Sequence, residues 1–400
     1  MADKTVIAAG HLCLDIIPGF SEGEDRPLSE LFAPGRLINI EKASLASGGA
    51  VSNTGIALAK LGIDAVLMGK VGADPFGKLL EGLVSSKGAR PGIIVSEKDS
   101  TSYTIVLNAP GYDRILLHNT GANDTYCADD PDYGAVRDAA LFHFGYPPLM
   151  KRMYENGGAE LTDMFRKVKG CGVATSLDMS LPDPKNASGK ADWLAVLEKT
   201  LPYVDIFAPS AEEIIYMADK EEYRKLSAGN ETGDFTDSLR IDALPAIGEK
   251  LIGMGAAVVA VKCGKKGLYL KTASKERLSQ MGKAWPDKRL PADMANIEIF
   301  CESYRVEPVC SAAGSGDNCI AGLLAAFLKG MKAEDCAKVG CVVGAQNLRA
   351  YDAVSGVRDW DETMRQLGSG MERNRLNGET RLWEFDETVK LWRRQGRNGI

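Results

Sequence analysis

The chain has 400 residues, 45% of them hydrophobic and 26% charged, and 48 Lys+Arg against 54 Asp+Glu leave a formal charge of −6. That acidic balance excludes a nucleic-acid backbone or an anionic membrane surface as the main partner. The apolar runs 256–261 and 320–328 fall far short of the ~20 residues a membrane helix needs. Residues 1–10 carry Asp3 and no cleavage-site pattern, so a cytoplasmic protein is expected. The nine cysteines are never spaced C-x-x-C, which fits free thiols in a reducing compartment rather than a zinc site.

Apolar runs and helical patterns then alternate along the chain. Residues 5–17 read as a strand, 51–62 as a helix, 65–71 as a strand and 75–87 as a helix. Strand patterns at 103–107 and 114–117 flank Pro110-Gly111, which predicts a hairpin projecting from the sheet. The alternation resumes with strand 173–178, helix 191–200, strand 205–208, helix 211–217, helix 244–254 and strand 257–262. A strand-like stretch at 304–309 precedes a helix at 318–328. This order predicts an α/β fold with a mostly parallel central sheet. Segments 219–240 and 272–298 look like insertions. Trp383, Val389 and Trp392 suggest a helix face in an extension spanning 361–400, which ends in the basic cluster Arg393-Arg394-Gln395-Gly396-Arg397.

The segment Ala313-Gly314-Ser315-Gly316-Asp317 is a small-residue turn between a strand pattern and an amphipathic helix. Such a turn presents unpaired amides at the positive end of a helix dipole and so forms an anion cradle. A dinucleotide fingerprint starting at Gly314 would need glycine at 319, where Cys319 stands. No Gly-Lys pair is followed by Ser or Thr, which rules out a Walker lysine motif. An anion hole beside a carboxylate suits phosphoryl transfer to an alcohol, with Asp317 taking the hydroxyl proton. The competing reading is a capping carboxylate on a tight turn.

A second small-residue segment, Gly48-Gly49-Ala50-Val51-Ser52-Asn53, lets a ligand approach the backbone, and Asn53 offers a donor and an acceptor to a polyol. Asp74-Pro75 reads as a helix start, so Asp74 is structural, and Phe76 is expected in the core. His11 and His143 lie in apolar strand patterns and are expected to be core or sheet-end residues.

The two segments, in this order and near opposite ends of the chain, resemble the signatures of the ribokinase-like (PfkB) carbohydrate kinase family. The first corresponds to Gly48-Gly49 through Asn53 with Leu61-Gly62 and Gly72, the second to Ala313 through Asp317 with Ala321-Gly322. The resemblance spans about 5–356 and implies a three-layer α/β sandwich with a small β lid, formed from 16–47 and 101–117. It also implies ATP-dependent phosphorylation of a small sugar, with Asp317 as base and the 313–316 backbone as anion hole. Asp15, Gly48, Gly49 and Asn53 would bind the substrate. Gly264, Gly267 and Gly356 would contact the nucleotide, and Glu213 would reach Mg2+ through water. A monovalent cation and a homodimer through the lid are compatible with it. Domain organisation is then one kinase unit, 1–360, followed by the extension.

The chain departs from the family pattern at Ser311 and Ala312, where Asp and Thr are usual. Ser210 stands in place of the asparagine that precedes Glu213, and Cys341 in place of a nucleotide-side asparagine. The alternatives are a nucleoside kinase of the same family or a sugar- or nucleotide-binding regulator that has lost activity. A dehydrogenase is disfavoured because Gly10 stands alone after the first strand.

Overall fold

The computed structural model describes residues 4–20, 33–35, 37–108, 115–228, 234–285, 290–376 and 380–395. Strands are numbered in chain order. The first nine are β1 (Val6–Gly10), β2 (Cys13–Gly19), β3 (Glu41–Gly48), β4 (Ala65–Met68), β5 (Lys70–Gly72), β6 (Arg90–Pro91), β7 (Ile94–Ser96), β8 (Tyr103–Leu107) and β9 (Ile115–Asn119). The remainder are β10 (Leu141–Gly145), β11 (Ala174–Leu177), β12 (Ile206–Phe207), β13 (Val258–Lys262), β14 (Gly267–Thr272), β15 (Glu298–Glu302), β16 (Trp383–Asp386) and β17 (Leu391–Arg394).

Eleven strands form the central sheet in the order β16-β17-β15-β14-β13-β12-β11-β10-β1-β4-β6. From β13 to β6 neighbouring strands run parallel, and from β14 to β16 they are antiparallel. The parallel strands are apolar on both faces because helices cover both. Successive residues point to opposite sides, so Leu141 joins one apolar cluster with helices Ala50–Lys60, Ser315–Leu328 and Ala333–Gln346. Phe142 joins a second cluster with helices Ala159–Gly170, Trp193–Thr200 and Ala211–Ala218. The result is three layers.

A separate four-stranded sheet, in the order β3-β2-β8-β9, stands away from the central one and includes the expected hairpin. The Pro110-Gly111 turn, Arg114 and residues 21–32 of the expected lid lie outside the described residues.

Several expectations need correction. The single strand 5–17 is two, β1 in the central sheet and β2 in the lid. At the break, the Asn123 amide accepts from Leu12 N–H at 3.1 Å and donates to its carbonyl at 3.0 Å, replacing the lost ladder bonds. The run 65–71 likewise divides, with β5 leaving to pair with β7. The strand before the glycine turn is β15 rather than 304–309, where Tyr304 makes only an isolated bridge to Arg373 and Pro308 lacks a ladder donor. Segment 272–298 is therefore bounded by sheet strands, β14 at its start and β15 at its end.

The tail differs most. Trp383 and Trp392 lie on the strands of a β-hairpin at the sheet edge, not on a helix. The Trp383 ring is 2% exposed and meets Tyr269 and Phe300 edge-on. Buried Glu302 accepts from Trp392 Nε1 at 3.1 Å and from Leu376 N–H at 3.0 Å. Residues 396–400, including Arg397, lie outside the described residues. Phe76, expected in the core, is 37% exposed against Tyr103, while Asp74 caps its helix as read, accepting from Gly77 N–H at 2.8 Å.

Because the hairpin completes the core, Trp383→Ala is expected to destabilise the whole domain by about 3–5 kcal/mol. Equilibrium urea unfolding checks this, and an unchanged midpoint would show the tail to be an appendage.

Candidate active site

The polar residues converge at the carboxyl ends of the parallel strands, where ligands bind in open α/β sheets. Tyr146 follows β10, Asp178 follows β11, and Lys262 ends β13. Opposite them, helix Ser315–Leu328 begins at the Gly314 N-cap. Gly314 has φ +68°, and a Cβ there would lie 2.4 Å from the Ala353 carbonyl, so only glycine makes this turn. Asn347 holds the turn from below, its Nδ2 donating to the carbonyls of Ala313 at 2.9 Å and Asp352 at 2.8 Å.

Asp317 lies in the first helical turn, 4% exposed. Asn53 Nδ2 donates to its Oδ2 at 3.0 Å and the Tyr146 hydroxyl to its Oδ1 at 2.5 Å. Burial pushes its pKa above the ordinary carboxylate value, while Tyr146, Lys262 and Asn53 pull it back. A raised carboxylate pKa suits a general base working near neutrality. Burial and the neighbouring Asp317 carboxylate hold Tyr146 well above the usual phenol range, so it stays a donor.

Fewer amides of the glycine turn are open than the sequence suggests. The Ala313 N–H donates to Ser311 Oγ at 3.1 Å and the Ser315 N–H to the Ala312 carbonyl at 3.2 Å. Among the described residues, the N–H groups of Gly314, Gly316 and Asp317 have no partner and remain for a ligand.

Asp178 is 1% exposed, and burial raises its pKa against the pull of the Lys262 ammonium, 2.5 Å away. Asp178, Glu213 and Asp317 together hold Lys262 charged against its own burial. Glu213 also closes a capping box, its Oε2 accepting from Ser210 N–H at 2.6 Å. The Ser210 that replaces asparagine is therefore the N-cap of helix Ala211–Ala218.

Asp15 projects from lid strand β2 over Gly48, where a Cβ would sit 2.3 Å from its Oδ2. Gly49 is the N-cap of the helix carrying Asn53. His11 and the lid residue His118 meet Nε2 to Nε2 at 3.2 Å, and His118 Nδ1 meets Thr104 Oγ1 at 3.0 Å. Gly264 and Gly267 bound the turn between β13 and β14, closed by Cys263 N–H donating to the Gly267 carbonyl at 2.7 Å. Gly356 lines a groove of about 740 Å3 between lid residues Ser44, Leu45 and Asn108 and body residues Arg349 and Arg358. Cys341 packs beside Cys301, at whose carbonyl its thiol points across 3.8 Å.

Thus Asn53 meets Asp317 in the first turn after Gly314, and Asp15 lies against Gly48 just before the Gly49 N-cap. Gly356 is joined to the same turn through Asn347, which accepts from its N–H at 3.0 Å, while Gly264 and Gly267 lie in the β13–β14 turn. Sequence reading missed Tyr146, Asp178, Lys262 and His118. Tyr146, Asp178 and Lys262 each stand at a strand's carboxyl end, the one signal that could have singled them out.

The family model for pfkB family carbohydrate kinase matches residues 24–360. The chain belongs to that family. A protein of Archaeoglobus fulgidus described as an uncharacterized sugar kinase is 25% identical over 75% of this chain and 97% of its own. The 2-dehydro-3-deoxygluconokinase of Bacillus subtilis is 23% identical over 81% of this chain and 87% of its own. Among solved structures, Arabidopsis thaliana ribokinase complexed with ribose and ATP superposes with a TM-score of 0.66 at 18% identity, covering 92% of this chain and 99% of that one. The ribokinase-like fold and its sandwich are thereby established, and the chain is a sugar kinase by family, a phosphotransferase acting on a sugar hydroxyl. Among the described residues no helix is long and apolar enough to cross a membrane.

Burial holds His11 and His118 below the usual imidazole pKa and pushes His143 down to about 3. The unfolded chain takes up protons that the folded chain refuses, so stability is full above about pH 6.5 and falls with pH below it. His118→Gln removes one such group and should flatten the fall in Tm between pH 7 and 5. Equal slopes in wild type and variant would contradict this.

Proposed function

We propose that this protein transfers the γ-phosphoryl group of ATP to a hydroxyl of a small sugar, a pentose or hexose. The observation that carries the reading is Asp317, buried between Asn53 and Tyr146 and flanked by the open amides of Gly314 and Gly316. Asp317 takes the proton of the attacking hydroxyl. The amides of Gly314, Gly316 and Asp317 hold the charge that develops on the transferring group, while Ala313 and Ser315 shape the turn rather than donate. Asp15, Gly48, Gly49 and Asn53 orient the sugar. The lid that carries Asp15 keeps water from competing as acceptor.

Gly264, Gly267 and Gly356 are assigned to the nucleotide through their backbone, and Gly356 lines the groove together with Arg349 and Arg358. Among the described residues no three ligating side chains converge to cage a metal. Mg2+ would be carried on the phosphates and neutralise their charge, with Glu213 reaching it through water. Lid strand β9 is a sheet edge on which Leu116 and Leu117 are 57% and 51% exposed, which supports a homodimer through the lid.

A coupled ATPase assay over pentoses, hexoses, sugar acids and nucleosides, with and without K+, tests the reading. Turnover restricted to nucleosides would move the acceptor class, and nucleotide binding without turnover on any acceptor would make the protein a regulator. Asp317→Asn should lower kcat by about 10^2–10^4-fold with the fold intact; a wild-type rate would remove the mechanism. Tyr146→Phe deletes a hydrogen bond that stabilises the Asp317 carboxylate, so its pKa rises. The acid limb of the kcat profile should then move to higher pH.

A further inference from the structure

Lys262 belongs to neither sequence signature, yet it lies where two helix N-termini approach each other. Its backbone N–H donates to Pro209 at 2.9 Å, and it forms a parallel bridge with Ser210, the N-cap of helix Ala211–Ala218. Its side chain runs toward the second helix start. A Cβ built on Gly316 would lie 3.6–3.8 Å from its Cδ, Cε and Nζ. The ammonium therefore sits beside the amides left open for an anion.

The donors give the second observation. An ammonium carries three N–H groups, and the only described acceptor for Lys262 is Asp178 Oδ1. Its side chain is only 12% exposed, so bulk water reaches it poorly. Asp178 cannot swing away, because its Oδ1 also accepts from Met179 N–H at 2.8 Å. A buried cation with spare donors, fixed in place and facing an anion cradle, is arranged to receive an anion rather than to stabilise the fold.

Charge balance points the same way. Three carboxylates, Asp178, Glu213 and Asp317, act on this region, and Lys262 is the basic side chain that acts on both buried aspartates. A transferring phosphoryl group entering beside those carboxylates would meet net repulsion without it.

Resting on the kinase reading above, we propose that Lys262 is a catalytic residue that contacts the transferring γ-phosphoryl group, and that Asp178 is the positioning residue that holds it there. In the step, the sugar oxygen bonds to the γ-phosphorus and its proton passes to Asp317. The bond from the γ-phosphorus to the bridging oxygen breaks, and its electron pair leaves with ADP. Lys262 exchanges no proton; it lies against the equatorial oxygens and holds their charge.

The test compares binding of ADP and the non-hydrolysable analogue AMPPNP by calorimetry, because only the latter carries a γ-phosphoryl group. Removing Lys262 alone would strand Asp178, so the first variant is Lys262→Met/Asp178→Asn, which deletes the pair together. It should bind ADP as wild type does but lose about tenfold of its preference for AMPPNP over ADP. Its kcat should fall about 100-fold with the sugar KM unchanged. A wild-type AMPPNP preference in the folded double variant would overturn the proposal. Should that variant not fold, Lys262→Arg keeps the charge and the partner while moving the donors. It should lower kcat at least tenfold without changing the sugar KM, and an unchanged kcat would overturn the proposal. Wild-type protein that neither binds AMPPNP nor phosphorylates any sugar would instead sink the kinase reading, and this proposal with it.

Discussion

The architecture depends on keeping two carboxylates buried beside a helix start that leaves amides unpaired. Asp178 and Asp317 are 1% and 4% exposed, and water cannot screen them there. The fold compensates with Asn53, Tyr146 and Lys262, brought from three different elements. Each is needed because a buried carboxylate without partners simply takes up a proton. The same arrangement that tolerates the charge also poises it. Asp317 is raised by burial and restrained by its donors, as the proposed role of general base requires.

The parallel sheet makes this convergence geometrically possible. Strands β10, β11 and β13 all end on one side, so residues just past their ends meet although they are far apart in sequence. Tyr146 and Asp317 are 171 residues apart and share a hydrogen bond. On the opposite flank the sheet turns antiparallel at β14 and is completed by β17 and β16. The outer hairpin β16–β17 carries no proposed chemistry, and Trp383 there fills the core. The lid is tied to the body near the site by the His118–His11 contact and by β2, which continues from β1 after a two-residue break.

Motif-level features were legible because they depend on local backbone chemistry. A run of Gly and small residues before an amphipathic helix marks a tight helix start through local backbone chemistry, although Asn347 braces it from elsewhere in the chain. The reading of Asp74 as a cap held for the same reason, since an Asp-Pro helix start is a local event. The tail illustrates the opposite case. Trp383, Val389 and Trp392 also fit helical spacing, and only the open edge of β15, with buried Glu302 beside it, made a hairpin the better burial. Strand 5–17 was misread likewise, because its apolar run is continuous and only the distant Asn123 amide breaks the ladder.

The pairing of the glycine turn with Gly48-Gly49 and Asn53 came from the family resemblance, while by itself the sequence determined the α/β alternation and the glycine turn with Asp317 behind it. These follow from periodicity and from which residues tolerate tight backbone, both short-range properties. Only the tertiary structure decided which amides of the turn are open, which donors hold Asp317, and that Lys262, paired with Asp178, lies beside Gly316. Those outcomes depend on strands brought side by side from remote parts of the chain. No local pattern records which buried charge will find which partner.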